Sequence, residues 1–114
     1  MPYINVKTTA SITKENKVNL KDRLGKAIAI IPGKSEGTLM IGFEGERDMY
    51  FKGDGSKPCA FVEVMVLGHS EKKYYSEFAA AVTEMVNGEL GIDPSRVYVK
   101  FEETDYWACG GTLY

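Results

Sequence analysis

One order of hydrophobic patterns, strand then helix then strand, occurs in each half of this 114-residue sequence. In the first half, residues 3–8 alternate between apolar and polar side chains, which predicts a half-buried strand. The apolar residues of 13–31 recur at helical spacing, and the Pro-Gly pair that follows ends the predicted helix. Residues 38–44 alternate again and predict a second strand. This half therefore forms one strand–helix–strand unit.

The second half contains the same order of patterns with little similarity of sequence. Residues 59–67 have the strongest strand pattern of the chain, 71–90 carry an apolar stripe at helical spacing, and 96–102 alternate again. The segment 44–58 between the halves is rich in glycine and charge, and we interpret it as a loop with a short strand at 49–51.

The duplicated order limits the fold to a few arrangements. Each half is long enough for a right-handed βαβ crossover with parallel strands. Two such units side by side predict an α+β fold, with a four-stranded mixed sheet and two helices on one face. A chain of 114 residues with 44% hydrophobic residues forms one core, so we expect a single domain over residues 1–114.

The sheet face without helices has no cover of its own in this arrangement. We expect it to be hidden by further copies of the chain, because that much exposed apolar area is rare on a monomer. The apolar side chains assigned to this face are Tyr3, Leu39 or Met40, Phe61, Met65 and Leu67.

Composition excludes several classes of partner. The formal net charge of −2, without a long basic run, argues against nucleic acid. No apolar segment is long enough to cross a membrane, and the N-terminus lacks the pattern of a secretory signal, so we expect a cytoplasmic protein. Cys59 and Cys109 are too few for a disulfide framework or a zinc site, and we interpret both as free thiols buried as small hydrophobes.

Common catalytic patterns are absent from the sequence. His69 is the only histidine, which excludes a histidine pair as a metal site, and we interpret it as a surface residue near the start of the second helix. Pro2 would become a secondary amine at the chain terminus if Met1 were removed. Burial or a neighbouring cation would lower the pKa of such an amine toward neutrality. Taken alone, a proline at this position fits a strand start equally well.

Several motifs spread over the chain carry a family resemblance. They are Met1-Pro2 leading into a strand, Gly33-Lys34 after the first helix, Met49-Tyr50-Phe51, Lys57-Pro58-Cys59-Ala60, Leu67-Gly68, the block Gly91-Ile92-Asp93-Pro94-Ser95-Arg96-Val97-Tyr98-Val99, and Trp107 before Gly-Thr-Leu. With these motifs the whole chain resembles the macrophage migration inhibitory factor family of the tautomerase superfamily. The resemblance implies the doubled βαβ fold assembled as a homotrimer, with the sheets facing an inner barrel.

The resemblance also implies an activity, keto–enol tautomerisation of phenylpyruvate-like α-keto acids without a cofactor. Pro2 is then the catalytic base, and Lys34 binds the substrate carboxylate and lowers the pKa of the Pro2 amine. The backbone of Leu67 lines the pocket beside them. Tyr98 of a neighbouring subunit supplies an aromatic wall, and Trp107 lies at the pocket mouth.

Other interpretations of these residues stay open. Lys34 also suits the C-terminal end of a helix, where the macrodipole favours a cation, and Tyr98 also suits packing on a neighbouring strand. Lys100 stands where members of the family often have asparagine, and a second ammonium there would strengthen anion binding. Cys59 lacks the Cys-x-x-Cys partner, so we expect no thiol–disulfide exchange through it.

The alternative function is that of a cytokine-like protein that binds a receptor and keeps only a vestigial tautomerase pocket. The resemblance implies this alternative, and no residue pattern in the sequence encodes a receptor surface. The missing secretory signal is compatible with it, because the family is exported by an unconventional route.

Overall fold

The computed structural model describes residues 1–114 and contains the mixed sheet that the sequence predicts. Strands β1 (Pro2–Thr8), β2 (Met40–Glu44), β3 (Ala60–Leu67) and β4 (Val97–Thr104) pair in the order β2-β1-β3-β4. The β1–β2 and β3–β4 pairs are parallel and the central β1–β3 pair is antiparallel. Each half of the chain thus forms one parallel pair joined by a helix, and the two halves meet at the centre of the sheet.

Helix α1 (Lys14–Ala27) is shorter than the predicted 13–31. It begins at Thr13, whose side chain accepts a hydrogen bond from the Asn16 backbone in a capping box. After Ala27 the chain tightens into a 3-10 turn over Ile28–Ile30. Pro32 accounts for the end of helical backbone after Ile30, because a proline disfavours helical backbone at the residue before it, and Ile31 is extended.

Helix α2 (Lys72–Leu90) ends at Gly91, which has φ of 67°, the left-handed conformation that glycine tolerates best. Its buried stripe packs with that of α1 on one face of the sheet, as predicted. Fifteen buried residues form this core: Ile4, Val6, Leu20, Leu24, Ile28, Ile31, Ala60, Val62, Val64, Val66, Phe78, Val82, Met85, Val86 and Ile92. Neither α2 nor any other helix is long and apolar enough to cross a membrane.

The sheet face without helices, called here the open face, is less apolar than the sequence indicates. Met40, and not Leu39, lies on it, because Met40 pairs with Tyr3 whereas Leu39 packs against the core. Charged and polar groups occupy the middle of this face. The Asn5 side chain donates to the Glu44 carboxylate at 2.7 Å and is only 6% exposed.

Two ion pairs on the open face involve lysines next to glutamates. Lys7 lies 3.8 Å from Glu63, and Lys100 lies 2.7 Å from Glu102. The Lys7–Glu63 pair joins neighbouring strands β1 and β3, and alternation within one strand does not show such a contact. The apolar side chains are therefore confined to the two ends of the face.

The chain ends in a small hairpin that strand patterns do not reveal. Strands β5 (Ala108–Cys109) and β6 (Thr112–Leu113) flank a turn at Gly110 and Gly111, whose φ values are 59° and 84°. Cys59 is buried as expected, but the expectation was wrong for Cys109, which is exposed on this hairpin. The strand expected at 49–51 is reduced to a single bridge between Phe51 and Asp54.

Candidate functional site

A cavity of about 390 Å³ opens beside the first residues of β1, and we call it the N-terminal cavity. Pro2 is buried at the start of the strand and is held there by pairing with β3 at Val66. The C-terminal hairpin folds over the opposite side of the cavity. The lining residues are Met1, Pro2, Gly37, Thr38, Met40, Trp107, Ala108, Cys109 and Gly110.

Lys34 meets the carboxyl end of β3 next to Met1. Gly33, with φ of 80°, turns the chain after α1, and the Lys34 Nζ then donates a hydrogen bond to the Leu67 carbonyl oxygen at 2.6 Å. The Leu67 N–H in turn donates to the Met1 carbonyl oxygen at 3.1 Å. Lys34 and Leu67 do not line the cavity themselves. Both lie next to Met1, and Met1 lines the cavity.

The electrostatics of this corner favour an uncharged amine. Partial burial lowers the pKa of the Met1 α-ammonium, and the nearby Lys34 ammonium lowers it further. With Met1 in place, the Pro2 nitrogen is part of a peptide bond and has no basic lone pair. The amine whose unprotonated form is favoured here at neutral pH is thus the chain terminus itself.

Trp107 is half-buried and forms a wall of the same cavity as Pro2. Its carbonyl oxygen accepts a hydrogen bond from the Tyr114 N–H at 2.8 Å, which closes the C-terminal hairpin. Residues on this hairpin, including Cys109, were not singled out for the site by sequence reasoning. The two glycines of the turn were the only local signal that the chain folds back here.

Tyr98 lies far from Pro2 within one chain. Tyr98 pairs with Phe61 of β3, whereas Pro2 pairs with Val66, five residues further along the strand. At the usual rise of a strand this separation is about 17 Å. Tyr98 is 57% exposed and packs edge-on against Phe51, with ring centroids 5.3 Å apart.

Lys100 is also outside the N-terminal cavity. Its Nζ lies 2.7 Å from Glu102, and the hydrogen bond to that carboxylate raises the pKa of Lys100. Lys34, in contrast, has no carboxylate within ion-pair distance and bonds to a neutral carbonyl. Of the two lysines, only Lys34 presents a positive charge that no acidic side chain of this chain neutralises.

A larger cavity of about 500 Å³ lies on another part of the surface, among the loops around Thr9, Arg47 and Tyr50. It contains none of the residues that the sequence analysis singled out for catalysis. No group of His, Cys, Asp or Glu side chains in the structure has the arrangement to hold a metal ion. The N-terminal cavity is therefore the site where cavity, amine and cation come together.

The model of the macrophage migration inhibitory factor (MIF) family matches residues 1–112, and the chain belongs to that family. No protein with a curated description matches the chain closely enough to count as a relative. The family membership agrees with the fold, which has the two helices and the mixed four-stranded sheet expected from the resemblance.

Solved structures of similar proteins superimpose on at least nine-tenths of the chain. MIF2 of Leishmania major is 24% identical with a TM-score of 0.93, covering 100% of this chain and 97% of that one. The macrophage migration inhibitory factor of Toxoplasma gondii is 25% identical with a TM-score of 0.90, covering 98% and 99%. A third structure, Pt0534 inactivated by 2-oxo-3-pentynoate, is 17% identical with a TM-score of 0.79, covering 90% and 85%.

Proposed function

We propose that this protein is a keto–enol tautomerase for phenylpyruvate-like α-keto acids, with the amine of Pro2 as general base. The observation that carries the proposal is the position of Pro2. It is buried at the start of a central strand, at the edge of a cavity and close to an unneutralised cation, Lys34. An amine in this setting is held rigidly and is shifted toward its neutral, basic form.

The proposal requires removal of Met1, which frees the Pro2 nitrogen. Met1 neighbours Lys34 through its amine and also lines the cavity, so its removal extends the cavity toward Lys34. It also frees the Leu67 N–H, whose acceptor is the Met1 carbonyl oxygen. The corner then offers a basic amine, an ammonium group and a backbone donor to one small ligand.

These three groups suit the transfer of a proton within an α-keto acid. The Lys34 ammonium binds the carboxylate and places the carbon next to the keto group near Pro2. The Pro2 amine takes a proton from that carbon as the electrons move to the keto oxygen, and the protonated amine returns it to oxygen to give the enol. A backbone N–H near that oxygen stabilises the negative charge that develops there. Trp107 offers an apolar wall for an aromatic substituent.

An electrophilic α-keto acid is expected to label Pro2 selectively. One structural neighbour, Pt0534, is inactivated by 2-oxo-3-pentynoate. In this compound a secondary amine can add to the alkyne carbon farther from the keto group: the N–C bond forms, one alkyne π bond breaks, and a proton ends on the adjacent carbon. We expect one adduct per chain, mapped to the N-terminal peptide by mass spectrometry.

The same experiment has an internal control, because Cys109 is an exposed thiol in the same cavity. A C109S variant should still be labelled at the N-terminal peptide. Labelling that disappears with C109S, or that spreads over surface lysines, would contradict a basic amine at Pro2. Intact mass of the unlabelled protein shows in the same run whether Met1 has been removed.

We further propose that the working form is a homotrimer in which Tyr98 of one copy reaches the N-terminal cavity of the next. The distance between Tyr98 and Pro2 along β3 supports this, since both cannot serve one cavity within a chain. The exposed Tyr98 ring on the open face is available to a neighbouring copy.

Complementation between two impaired variants tests the shared site. We expect P2A and Y98A to be weakly active alone. In a co-expressed mixture, roughly a quarter of all sites should combine a wild-type Pro2 with a wild-type Tyr98 of another chain, and the activity should recover to that fraction of the wild-type value. Sedimentation would report the mass of the assembly. A mixture no more active than the average of the two variants would exclude a Tyr98 contribution across subunits.

A further inference from the structure

The imidazole of His69, just after β3, lies between two carboxylates. Its Nδ1 is 3.1 Å from Glu103 Oε1 at the end of β4, and its Nε2 is 2.9 Å from Asp105 Oδ1 beyond that strand. We call these three side chains the His69 clasp. It joins the segment that follows Leu67 to the segment that leads into the C-terminal hairpin.

Both contacts of the clasp require the protonated ring. An ionised carboxylate only accepts hydrogen bonds, and a neutral imidazole has one N–H donor and one acceptor nitrogen. With a neutral ring, one nitrogen lone pair would face a carboxylate oxygen. The imidazolium form carries two N–H donors and satisfies both acceptors, so the geometry corresponds to a charged His69.

The two carboxylates depend on His69 to different degrees. Glu103 also accepts hydrogen bonds from the Ser70 N–H at 3.0 Å and the Tyr75 hydroxyl at 2.7 Å, so it stays fixed without the ring. The Asp105 carboxylate has no other hydrogen bond or ion pair. Loss of the His69 proton therefore releases Asp105 first.

Asp105 is connected to the N-terminal cavity over a short stretch of chain. The Tyr106 N–H donates to the Thr104 side chain at 3.2 Å, which forms a tight turn around Asp105. Trp107 follows directly and lines the cavity beside Pro2. Asp105 thus sits in the only link between the end of β4 and this wall of the cavity.

We propose that His69 is a positioning residue, which in its protonated form holds Asp105 and thereby fixes Trp107 as a wall of the N-terminal cavity. The effect of this positioning on catalysis rests on the proposed tautomerase function, whereas the positioning of Trp107 itself does not depend on that function. The aromatic part of an α-keto acid would meet the wall that the clasp holds in place.

The charged surroundings of His69 favour the protonated ring. Hydrogen bonds to Asp105 and then Glu103 raise the pKa of His69 above its usual 6.5. On α2, the Tyr75 hydroxyl donates a hydrogen bond to Glu103. Tyr74 of α2 and Glu71, which precedes the helix, line a surface cavity together with His69. No cation from these elements contacts the ring. Because the folded-state pKa is raised, the clasp is complete below pH 6.5 and is lost as pH rises through the raised value.

The fluorescence of Trp107 tests the positioning directly, because it is the only tryptophan in the chain. Emission and acrylamide quenching of the whole protein are followed from pH 5.5 to pH 9 for wild type and H69Q. We expect a transition above pH 6.5 in wild type that H69Q lacks, with Trp107 more accessible to quencher in H69Q at low pH. Any pH-dependent change that does not involve His69 is common to both proteins, so the difference between the profiles belongs to His69.

Two further variants make the result specific. D105N removes the acceptor charge and should abolish the same transition, while E71Q changes a nearby carboxylate that does not contact the ring and should retain it. In turnover of phenylpyruvate, H69Q should raise KM about two- to five-fold with kcat unchanged, the range expected for an exposed ion pair. Superimposed emission profiles for wild type, H69Q and D105N would overturn the proposal, even if the protein proved inactive as a tautomerase.

Discussion

P2A is expected to lower kcat/KM for phenylpyruvate tautomerisation by about 10²–10⁴-fold, the usual contribution of a positioned general base. Alanine still permits a terminal amine after Met1 removal, but it is a primary amine without the ring that fixes proline at the start of β1. The remaining activity should therefore be small but measurable. Loss of the enol absorbance, followed optically, gives the rate.

P94A is the matched control for this variant. Pro94 is an exposed proline in the 3-10 turn before β4, far from the cavity, so its replacement should leave kcat/KM unchanged. Intact mass of every sample must show that Met1 is absent. Equal rates for P2A and wild type would contradict Pro2 as the general base and favour the alternative of receptor binding with a vestigial pocket.

The fold was predictable because its signals are local. Alternation in β1 and β3, the helical stripes of α1 and α2, and the breaks after them are each encoded within a few adjacent residues. Placing the two strand–helix–strand units side by side then predicted the four-stranded mixed sheet. The predicted end of the first helix at residue 31 was wrong, because residues 28–30 form a 3-10 turn and Ile31, which precedes Pro32, is extended.

The sequence predicted only those residues of the candidate site that lie at the chain terminus or within the family motifs. Pro2, Lys34, Leu67 and Trp107 come together around Met1 and the N-terminal cavity, as the resemblance implies. The wall formed by the hairpin depends on a turn at two glycines and on contacts between distant segments. No periodicity within a window of residues encodes such contacts.

Charge pairing was equally hidden from the sequence. Lys100 looked like a second cation for an anionic substrate, but Glu102, on the same face of β4, pairs with it. His69 looked like a surface residue near the start of the second helix, yet the carboxylates of Glu103, in β4, and Asp105, beyond it, lie beside its ring. In both cases the sequence shows the residue type, and the fold decides which charged side chain lies beside it.

K34A should weaken substrate binding more than any other change that leaves Pro2 intact. Removing the ammonium leaves the substrate carboxylate without its charged partner, and hydrogen bonds to charged groups correspond to about a 10–100-fold change in affinity. We expect KM to rise by that factor. The Leu67 carbonyl oxygen also loses its donor, but Leu67 is the last residue of β3 and is only half-buried, so water can replace the lysine.

The pH profile separates the two roles of Lys34. The Lys34 ammonium lowers the pKa of the Met1 amine, and we expect the same effect on the Pro2 amine once Met1 is removed. Removal of Lys34 should then raise the pKa of the base, and the acidic limb of kcat/KM should move to higher pH. K26A is the matched control, since Lys26 lies in the last turn of α1 with no contact to Leu67 or Met1 and should leave KM and the limb unchanged. A K34A profile whose limb stays in place, with KM raised alone, would show that Lys34 binds the carboxylate without tuning the base.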